Sequence, residues 1–198
     1  MDSFDALAEI LFNSRYVDVD DNEYFVKFTV QDAMGTRTSE VYDFARLHRG
    51  YMRPFQGVSS LAQPVVHSNL SFYPGTKKKI PGGLVLLRAD VNFFKNQLSG
   101  KLEIKQDDPG AWHYHSETTE EWARHMCAEV IDEKKAVWVN PHERPNHGWD
   151  CSVYNLVAAE VIGVKFMKPQ KAQTTPQQSV VEDKKTNGWL KNKKGWLK

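Results

Sequence analysis

Long apolar runs and cysteines are both scarce in this sequence of 198 residues. The longest apolar runs, such as Leu84 to Leu87, contain four residues, whereas a membrane-spanning helix needs about 20. Acidic residues also stand near the N-terminus, where a secretory signal would carry lysines. We therefore expect no membrane partner. With only Cys127 and Cys151, the chain is not a disulfide scaffold, and a reducing compartment is indicated.

Several sequence motifs that carry chemistry are missing. There is no Gly-x-x-x-x-Gly-Lys-Ser/Thr loop for ATP and no Gly-x-Ser-x-Gly nucleophile turn. Cys127 falls within a predicted helix beside apolar neighbours, which favours a buried, inert thiol. Histidine and cysteine are the usual zinc ligands, but no pair among them has the spacing of a structural zinc site. These histidines and cysteines are His113, His115, His125, Cys127, His142, His147 and Cys151.

Charge divides the chain into two parts. The whole sequence carries a formal charge of +1, but residues 167–198 contain eight lysines and two acids, which leaves residues 1–166 at −5. We predict one globular domain over 1–166 and a basic, mostly disordered tail over 167–198. The tail repeats Gly-Trp-Leu-Lys at 188–191 and 195–198. That unit is compatible with a solvated tail, a docking peptide, or DNA binding by lysine charge and indole stacking.

Hydrophobic periodicity predicts strands that alternate with helices, which is typical of an α/β sheet covered by helices. Helices are predicted after Asp2 and Ser3 up to Asn13, and over 38–48, 92–98, 118–129 and 150–166. Strands are predicted over 24–30, running out at Asp32, over 84–87, ending on Asp90, and over 112–115 and 135–140. The middle of the chain, rich in Gly and Pro, is not assigned. Trp112, Trp122, Trp138 and Trp149 are interpreted as core residues.

Three acids lie at positions where α/β folds commonly place polar functional groups. Asp32 and Asp90 follow predicted strands, and Asp150 opens the long C-terminal helix, where the helix dipole favours a carboxylate. Converging carboxylates suit Mg²⁺ or Mn²⁺, and two such ions can promote phosphodiester cleavage. The structural alternative is that Asp32 is a turn residue, Asp90 a helix cap and Asp150 an N-cap.

The ordered motifs resemble the endonuclease domain of the lambda-type (GpA-type) large terminase subunit of tailed bacteriophages. Residues 31–44 (QDAMGTRTSEVYDF) resemble its acid, Gly and Val-Tyr-x-Phe pattern. Residues 53–57 (RPFQG) are similar to the family's next strand. Residues 86–95 (LLRADVNFFK) are similar to its hydrophobic strand and the Asp and Lys that follow. The most specific match is 144–159 (RPNHGWDCSVYNLVAA), which resembles its Asn-x-x-x-Asp-Cys-x-x-Tyr signature. The C-terminal Gly-Trp-Leu-Lys is also similar to the family's ends.

This resemblance implies a ribonuclease H-like mixed sheet flanked by helices and a site for two divalent metal ions, Mg²⁺ or Mn²⁺. By position, Asp32 and Asp150 would be metal ligands, with Asp90 as a further catalytic acid. Lys95 and the run Lys77, Lys78 and Lys79 would contact DNA phosphates, although that run could also be a solvated loop. The family's first nuclease strand, with its leading Asp, has no counterpart here, since residues 17–21 lie too close to the next strand. We therefore expect a fold that is incomplete at its N-terminus.

The implied function is that of a metal-dependent DNA endonuclease that cuts concatemeric viral DNA during genome packaging in the host cytoplasm. Its expected partners are double-stranded viral DNA and an upstream terminase fragment that carries the ATPase and the first nuclease strands. The small terminase subunit and the portal are further expected partners. The alternative is a non-catalytic module that docks on the packaging machinery or on DNA.

Overall fold

A four-stranded mixed sheet forms the centre of the protein. The computed structural model of the chain describes residues 2–18 and 20–168. The sheet consists of β3 (Thr29–Asp32), β4 (Met52–Val58), β5 (Val65–Phe72) and β6 (Lys79–Asp90), in the spatial order β3-β4-β6-β5. Strands β3, β4 and β6 are parallel, and β5 runs antiparallel to β6. Two small ribbons lie outside it: β1 (Tyr16–Val17) with β2 (Glu23–Tyr24), and β7 (Val130–Asp132) with β8 (Val137–Val139).

Five helices accompany this sheet in the described part of the chain, and a 3₁₀ turn, Val164–Phe166, follows the last of them. The last helix ends where Gly163 adopts the left-handed conformation that glycine tolerates best. The helices are α1 (Ser3–Asn13), α2 (Thr38–Leu47), α3 (Val91–Glu103), α4 (Glu120–Met126) and α5 (His147–Ile162).

The alternation of side chains along the parallel strands creates one core on each face of the sheet. Met52 of β4 and Leu86 of β6 belong to a cluster with α2, against which α1 packs its apolar residues. Phe55 and Leu87 point to the other face, where they join residues of α3 and α5. Successive strand residues point to opposite faces, so β4 and β6 are covered on both sides, as parallel strands usually are.

The α/β class and the mixed sheet flanked by helices are confirmed, and this arrangement is consistent with a nuclease fold. Helix α1 has the predicted start and end, although the Asp2 side chain makes no capping hydrogen bond. Helix α2 and the end of β6 on Asp90 are also as predicted. Thr119, near the start of the helix predicted over 118–129, accepts a hydrogen bond from the Trp122 N–H.

Other predictions were wrong. The predicted strand over 24–30 is interrupted, because residues 25–28 are irregular between β2 and β3, and residues 112–115 form no strand. The unassigned middle forms β4, β5 and the first half of β6. Helix α4 ends at Met126 rather than at 129, α3 continues to Glu103, and α5 begins at His147 and ends at Ile162. Trp149 is buried as predicted, whereas the side chain of Trp122 is exposed.

Strand β3 lies at one edge of the sheet. Its neighbour is β4, and no strand of the described residues pairs with its other side. In a parallel pair, alternate residues direct their N–H and C=O groups toward the partner, and Thr29 and Ala33 donate toward β4. Val30 and Asp32 therefore present their backbone groups at the outer edge. Of the tail predicted over 167–198, only residues 167 and 168 are described, and the rest, with the Gly-Trp-Leu-Lys repeat, lies outside the described residues.

Candidate functional site

Asp32 and Asp150 are brought together although they are far apart in sequence. Asp32 is the last residue of β3, and Asp150 lies in the first turn of α5, which packs on β3. Tyr154, one turn further along α5, lies close to both acids. Its pKa is raised well above the ordinary value, first by burial and then by the negative charges of Asp32 and Asp150. The two acids thus lie on neighbouring elements at the carboxyl end of β3.

The chain around Asp32 is held by local hydrogen bonds. The Met34 N–H donates to Asp32 Oδ1 at 2.9 Å, which is the turn interaction typical of aspartate. The Thr38 hydroxyl donates to the carbonyl of Ala33 at 2.6 Å and to that of Gly35 at 2.8 Å. These bonds link the end of β3 to the start of α2 and fix where the carboxylate stands, while its second oxygen stays available.

Asp150 occupies the first turn of α5 but is not its N-cap. The N-cap is Asn146, whose side chain makes no capping bond to the helix. Burial raises the pKa of the Asp150 carboxyl; the positive charge of Lys95 opposes this, and the charges of Glu129 and Asp32 raise the pKa further. Ionisation of the Asp150 carboxyl is therefore unfavourable, and a bound cation would stabilise the ionised form.

A buried ion pair lies directly beside Asp150. Lys95 Nζ of α3 donates to both carboxylate oxygens of Glu129, at 2.8 and 2.6 Å. The side chain of Glu129 is 5% exposed and that of Lys95 12% exposed. The same ammonium lies 3.8 Å from Asp150 Oδ1, and the Asn146 side-chain amide donates to Glu129 Oε1 at 2.8 Å. Lys95 therefore bridges Glu129 and Asp150.

Asp90 lies at the same end of the sheet as Asp32, on β6 and therefore beyond β4. Both of its carboxylate oxygens already accept hydrogen bonds, Oδ1 from the Phe93 N–H at 3.0 Å and Oδ2 from the Leu61 N–H at 3.1 Å. Asp90 is thus the N-cap of α3 and also anchors the loop between β4 and β5.

Residues 1–173 match a protein family described as the endonuclease domain of the terminase large subunit gpA. The chain belongs to this family. The match covers most of the sequence, so the resemblance inferred from the motifs is confirmed, and a nuclease role in a phage terminase is supported. No curated protein and no solved structure matches the chain.

The lysine run of this terminase domain lies far from the two acids. Lys77 and Lys78 precede β6 and Lys79 is its first residue, whereas Asp90 is its last. The eight residues of β5 pair with β6 from Ala89 back to Lys79, so at about 3.3 Å per residue of β5 the two ends of β6 are roughly 25 Å apart. Lys95 is therefore the one predicted phosphate-contacting residue that the structure brings beside Asp150.

Zinc ligands do not assemble in the described part of the terminase domain. No group of three or more His, Cys, Asp and Glu side chains there could hold a metal ion, although the rings of His125 and His147 lie 5.7 Å apart.

Cys127 is exposed, so its predicted burial was wrong, because α4 ends before it. No helix among the residues that the structure describes is long and apolar enough to cross a membrane.

Glu129 is the site residue that sequence reasoning missed. Its partner Lys95 is 34 positions away, and Glu129 belongs to no recognisable motif. The available signal was weak: an acid followed directly by the apolar pair Val130 and Ile131. Only the packing of α3 and α5 around the segment before β7 shows that this carboxylate is buried.

Proposed function

We propose that this chain is the metal-dependent DNA endonuclease part of a phage terminase large subunit, which cuts concatemeric viral DNA during packaging in the host cytoplasm. The observation that carries the proposal is the meeting of Asp32 and Asp150 at the carboxyl end of β3, within a domain of the terminase nuclease family. Two carboxylates supply the hard oxygen ligands that Mg²⁺ and Mn²⁺ prefer.

Asp32 and Asp150 would hold the divalent metal, and the raised pKa of Asp150 fits that role, because a bound cation would offset the cost of its ionisation. When bound, divalent ions activate water and stabilise the leaving oxygen in phosphodiester cleavage. The chain's own contribution is positional. The Met34 N–H holds one oxygen of Asp32, α5 presents Asp150 toward it, and Lys95 supplies a positive charge beside the acids.

DNA would approach the sheet at the carboxyl ends of its parallel strands. Lys95 would attract a phosphate near the metal, whereas Lys77, Lys78 and Lys79, at the opposite end of β6, would contact the DNA backbone further from that phosphate. Such phosphate contacts give affinity without reading sequence. The basic repeat near the C-terminus, the small terminase subunit and the portal belong to the same proposal as further contacts during packaging.

The outer edge of β3 offers a binding surface for an additional partner. We propose that an upstream terminase segment, with the ATPase and the first nuclease strands, pairs with this edge and brings its leading acid toward Asp32. Unpaired backbone groups at a sheet edge are a template for a further strand. Such a strand would lie directly beside the residue that carries the proposed metal ligand.

Cleavage of supercoiled plasmid with Mn²⁺ tests this function. The chain should be assayed alone and with an upstream terminase segment, each time as wild type, Asp150→Asn and Asp107→Asn. Asp107 lies in an exposed loop, so its substitution is the matched control and should leave cleavage unchanged. Cleavage that Asp150→Asn abolishes would support the proposal, and cleavage that survives Asp150→Asn would refute the assigned site.

A non-catalytic docking module is the second candidate. It is favoured by one observation: no three potential ligands assemble within the described residues. Absence of cleavage in every arm, together with Mn²⁺-independent binding of the chain to the upstream segment, would favour this candidate over the nuclease.

A further inference from the structure

We propose that a cleft at the start of α5, lined by Arg124 and Arg144, binds a phosphate group of the DNA backbone beside Asp32 and Asp150. This inference rests on the proposed function, because it gives the DNA of that proposal a further point of contact. The arginine cleft is separate from Lys95 and from the lysine run at the start of β6, so it can be tested without changing either.

The arginine cleft lies where the end of α4 meets the turn that leads into α5. Its volume is about 370 Å³, within the range of about 300 to 1,000 Å³ that is usual for ligand pockets. Two guanidinium groups and one carboxylate line it, so the cleft is positive although residues 1–166 carry a formal charge of −5. The lining residues are Glu121, Arg124, His125, Cys127, Arg144 and Pro145.

Arg144 reaches the cleft from a turn that fixes its backbone. Its N–H donates to Asn140 Oδ1 at 3.0 Å, and its carbonyl accepts from the Asn140 side-chain amide at 2.6 Å. Both bonds use backbone atoms of Arg144, and its guanidinium has no hydrogen-bond or ion-pair partner among the residues that the structure describes. A guanidinium presents its N–H donors in a planar fork that matches the oxygens of a phosphate.

Arg124 of α4 supplies the second guanidinium. It lies 2.7 Å from Glu120 Oε1, and the two side chains are 75% and 81% exposed. An ion pair this exposed contributes little stability, so Arg124 can exchange the carboxylate for a phosphate at small cost. Glu121 forms no ion pair with either arginine in the part of the chain that the structure describes. A phosphate bound between Arg124 and Arg144 would therefore offset the repulsion between their charges.

Helix α4 packs directly on the turn of α5 that carries Asp150. A Cβ built on Gly148 would stand 3.1 Å from His125 Cβ and 3.2 Å from Trp122 Cδ2, and the rings of His125 and His147 lie 5.7 Å apart. His147 and Asp150 are three positions apart in α5, so they are neighbours on the helix surface. The arginine cleft therefore adjoins the proposed metal ligand.

Chain geometry limits the distance between the cleft and the acids. With a rise of about 1.5 Å per residue in the helix and at most about 3.6 Å per residue before it, the Cα of Arg144 lies within about 16 Å of the Cα of Asp150. Each DNA strand carries one phosphate per about 3.4 Å of helix axis. The cleft can thus hold a phosphate about five nucleotides or fewer from the one that faces Asp32 and Asp150.

The test measures binding of the full chain to a fluorescein-labelled duplex by fluorescence anisotropy, over a series of NaCl concentrations. EDTA is present, so neither divalent ions nor cleavage contribute. Arg124→Gln and Arg144→Gln should each reduce the slope of log affinity against log salt by about 0.9, which is the value for one phosphate contact, and the double variant by about 1.8. Duplexes of unrelated sequence should show the same reductions, since phosphate contacts do not read bases.

Two control variants separate a local contact from a general effect of charge. Arg144→Lys retains the positive charge and should keep the wild-type slope. Lys105→Gln removes a positive charge from an exposed position just after the far end of α3, about 20 Å along that helix from its start, and should also leave the slope unchanged.

Cys127 provides a second readout within the cleft, because its thiol is exposed and belongs to the lining. Its alkylation by iodoacetamide can be followed by mass spectrometry of the peptide that contains it. Duplex DNA should slow this reaction in wild type but not in the double variant. Inorganic phosphate at the same ionic strength should give less protection than the duplex.

The inference is overturned if wild type binds no duplex, if the double variant keeps the wild-type slope, or if bound DNA leaves Cys127 unprotected. Protection by inorganic phosphate alone would assign the cleft to a free anion. Retained DNA binding with loss of binding to polyglutamate would assign it to an acidic protein. Either of these two results also overturns the inference. Failure of the proposed function looks different, since cleavage would then survive Asp150→Asn while the salt slope still responded to the two arginines.

Discussion

Gly57 is the position where the addition of one methyl group should have the largest effect near the site. It lies on β4, and a Cβ built there would stand 2.7 Å from Val91 Cγ1 and 3.6 Å from Phe55 Cε1. Carbon atoms in contact are normally about 3.5 to 4.0 Å apart, so the Cβ that Gly57→Ala introduces would stand about 1 Å too close to Val91 Cγ1. Val91 is the first residue of α3, and a β-branched side chain in a helix has little rotamer freedom to move aside.

The substitution must therefore displace α3 from the sheet or strain Val91. Overpacking of this kind costs about 1 to 3 kcal/mol. In a chain of this size, each kcal/mol lowers the melting temperature by roughly 2–4 °C. Since α3 also carries Lys95, the same displacement would loosen its contact with Glu129. Urea unfolding followed by circular dichroism measures the free energy of unfolding.

Two controls make the reasoning refutable. Gly100→Ala is the same change within α3, at a position with no neighbouring atom within 4 Å, and should stabilise the chain by about 0.5 to 1 kcal/mol. Val91→Ala removes the colliding methyl group, so the double variant with Gly57→Ala should show a favourable coupling of about 1 kcal/mol or more. If Gly57→Ala is as stable as wild type, or Val91→Ala gives no rescue, the steric argument is wrong.

Three further predictions concern single carboxyl and hydroxyl groups. Burial raises the pKa of the Asp150 carboxyl, so the folded state favours its protonated form, and the stability that this carboxyl contributes is present below its unfolded pKa and lost as pH rises through its folded pKa. Asp150→Asn should therefore be more stable than wild type to urea at pH 7 in EDTA. A less stable variant would contradict this. Hydrogen bonds, first from Asn22, lower the pKa of Asp18 to about 2, so its stabilisation of the β1–β2 ribbon should be present above about pH 4 and be lost toward pH 2. Nuclear magnetic resonance titration of the Asn22 amide checks this, and a midpoint near 4 would refute it. Thr119→Ala removes the bond to the Trp122 N–H and should cost about 1 kcal/mol in urea unfolding, whereas Thr119→Ser should retain most of the stability; equal losses would argue against the cap.

Local sequence determined the features that depend on neighbouring residues. The apolar spacing of α1 and α2, the capping threonine of α4 and the acid at the end of β6 follow from side chains a few positions apart, and each was predictable. The start of α5 was not, because Asp150 is a plausible N-cap by type, whereas the structure begins this helix three residues earlier. Chain order in the motifs, together with the family resemblance, also indicated that Asp32 and Asp150 belong to one site.

Tertiary structure alone decided the features that depend on distant residues. Residues 65–72 lack a clear alternation, and they form β5 because β6 offers them an antiparallel partner. Asp90 is engaged on both oxygens because the Leu61 N–H, 29 positions away, reaches it. Lys95 and Glu129 pair across 34 positions because α3 and α5 exclude water from the space between them. The sequence by itself thus determined the local elements and the two acids, while packing determined burial and charge pairing, which arise only when distant segments share a water-excluded space.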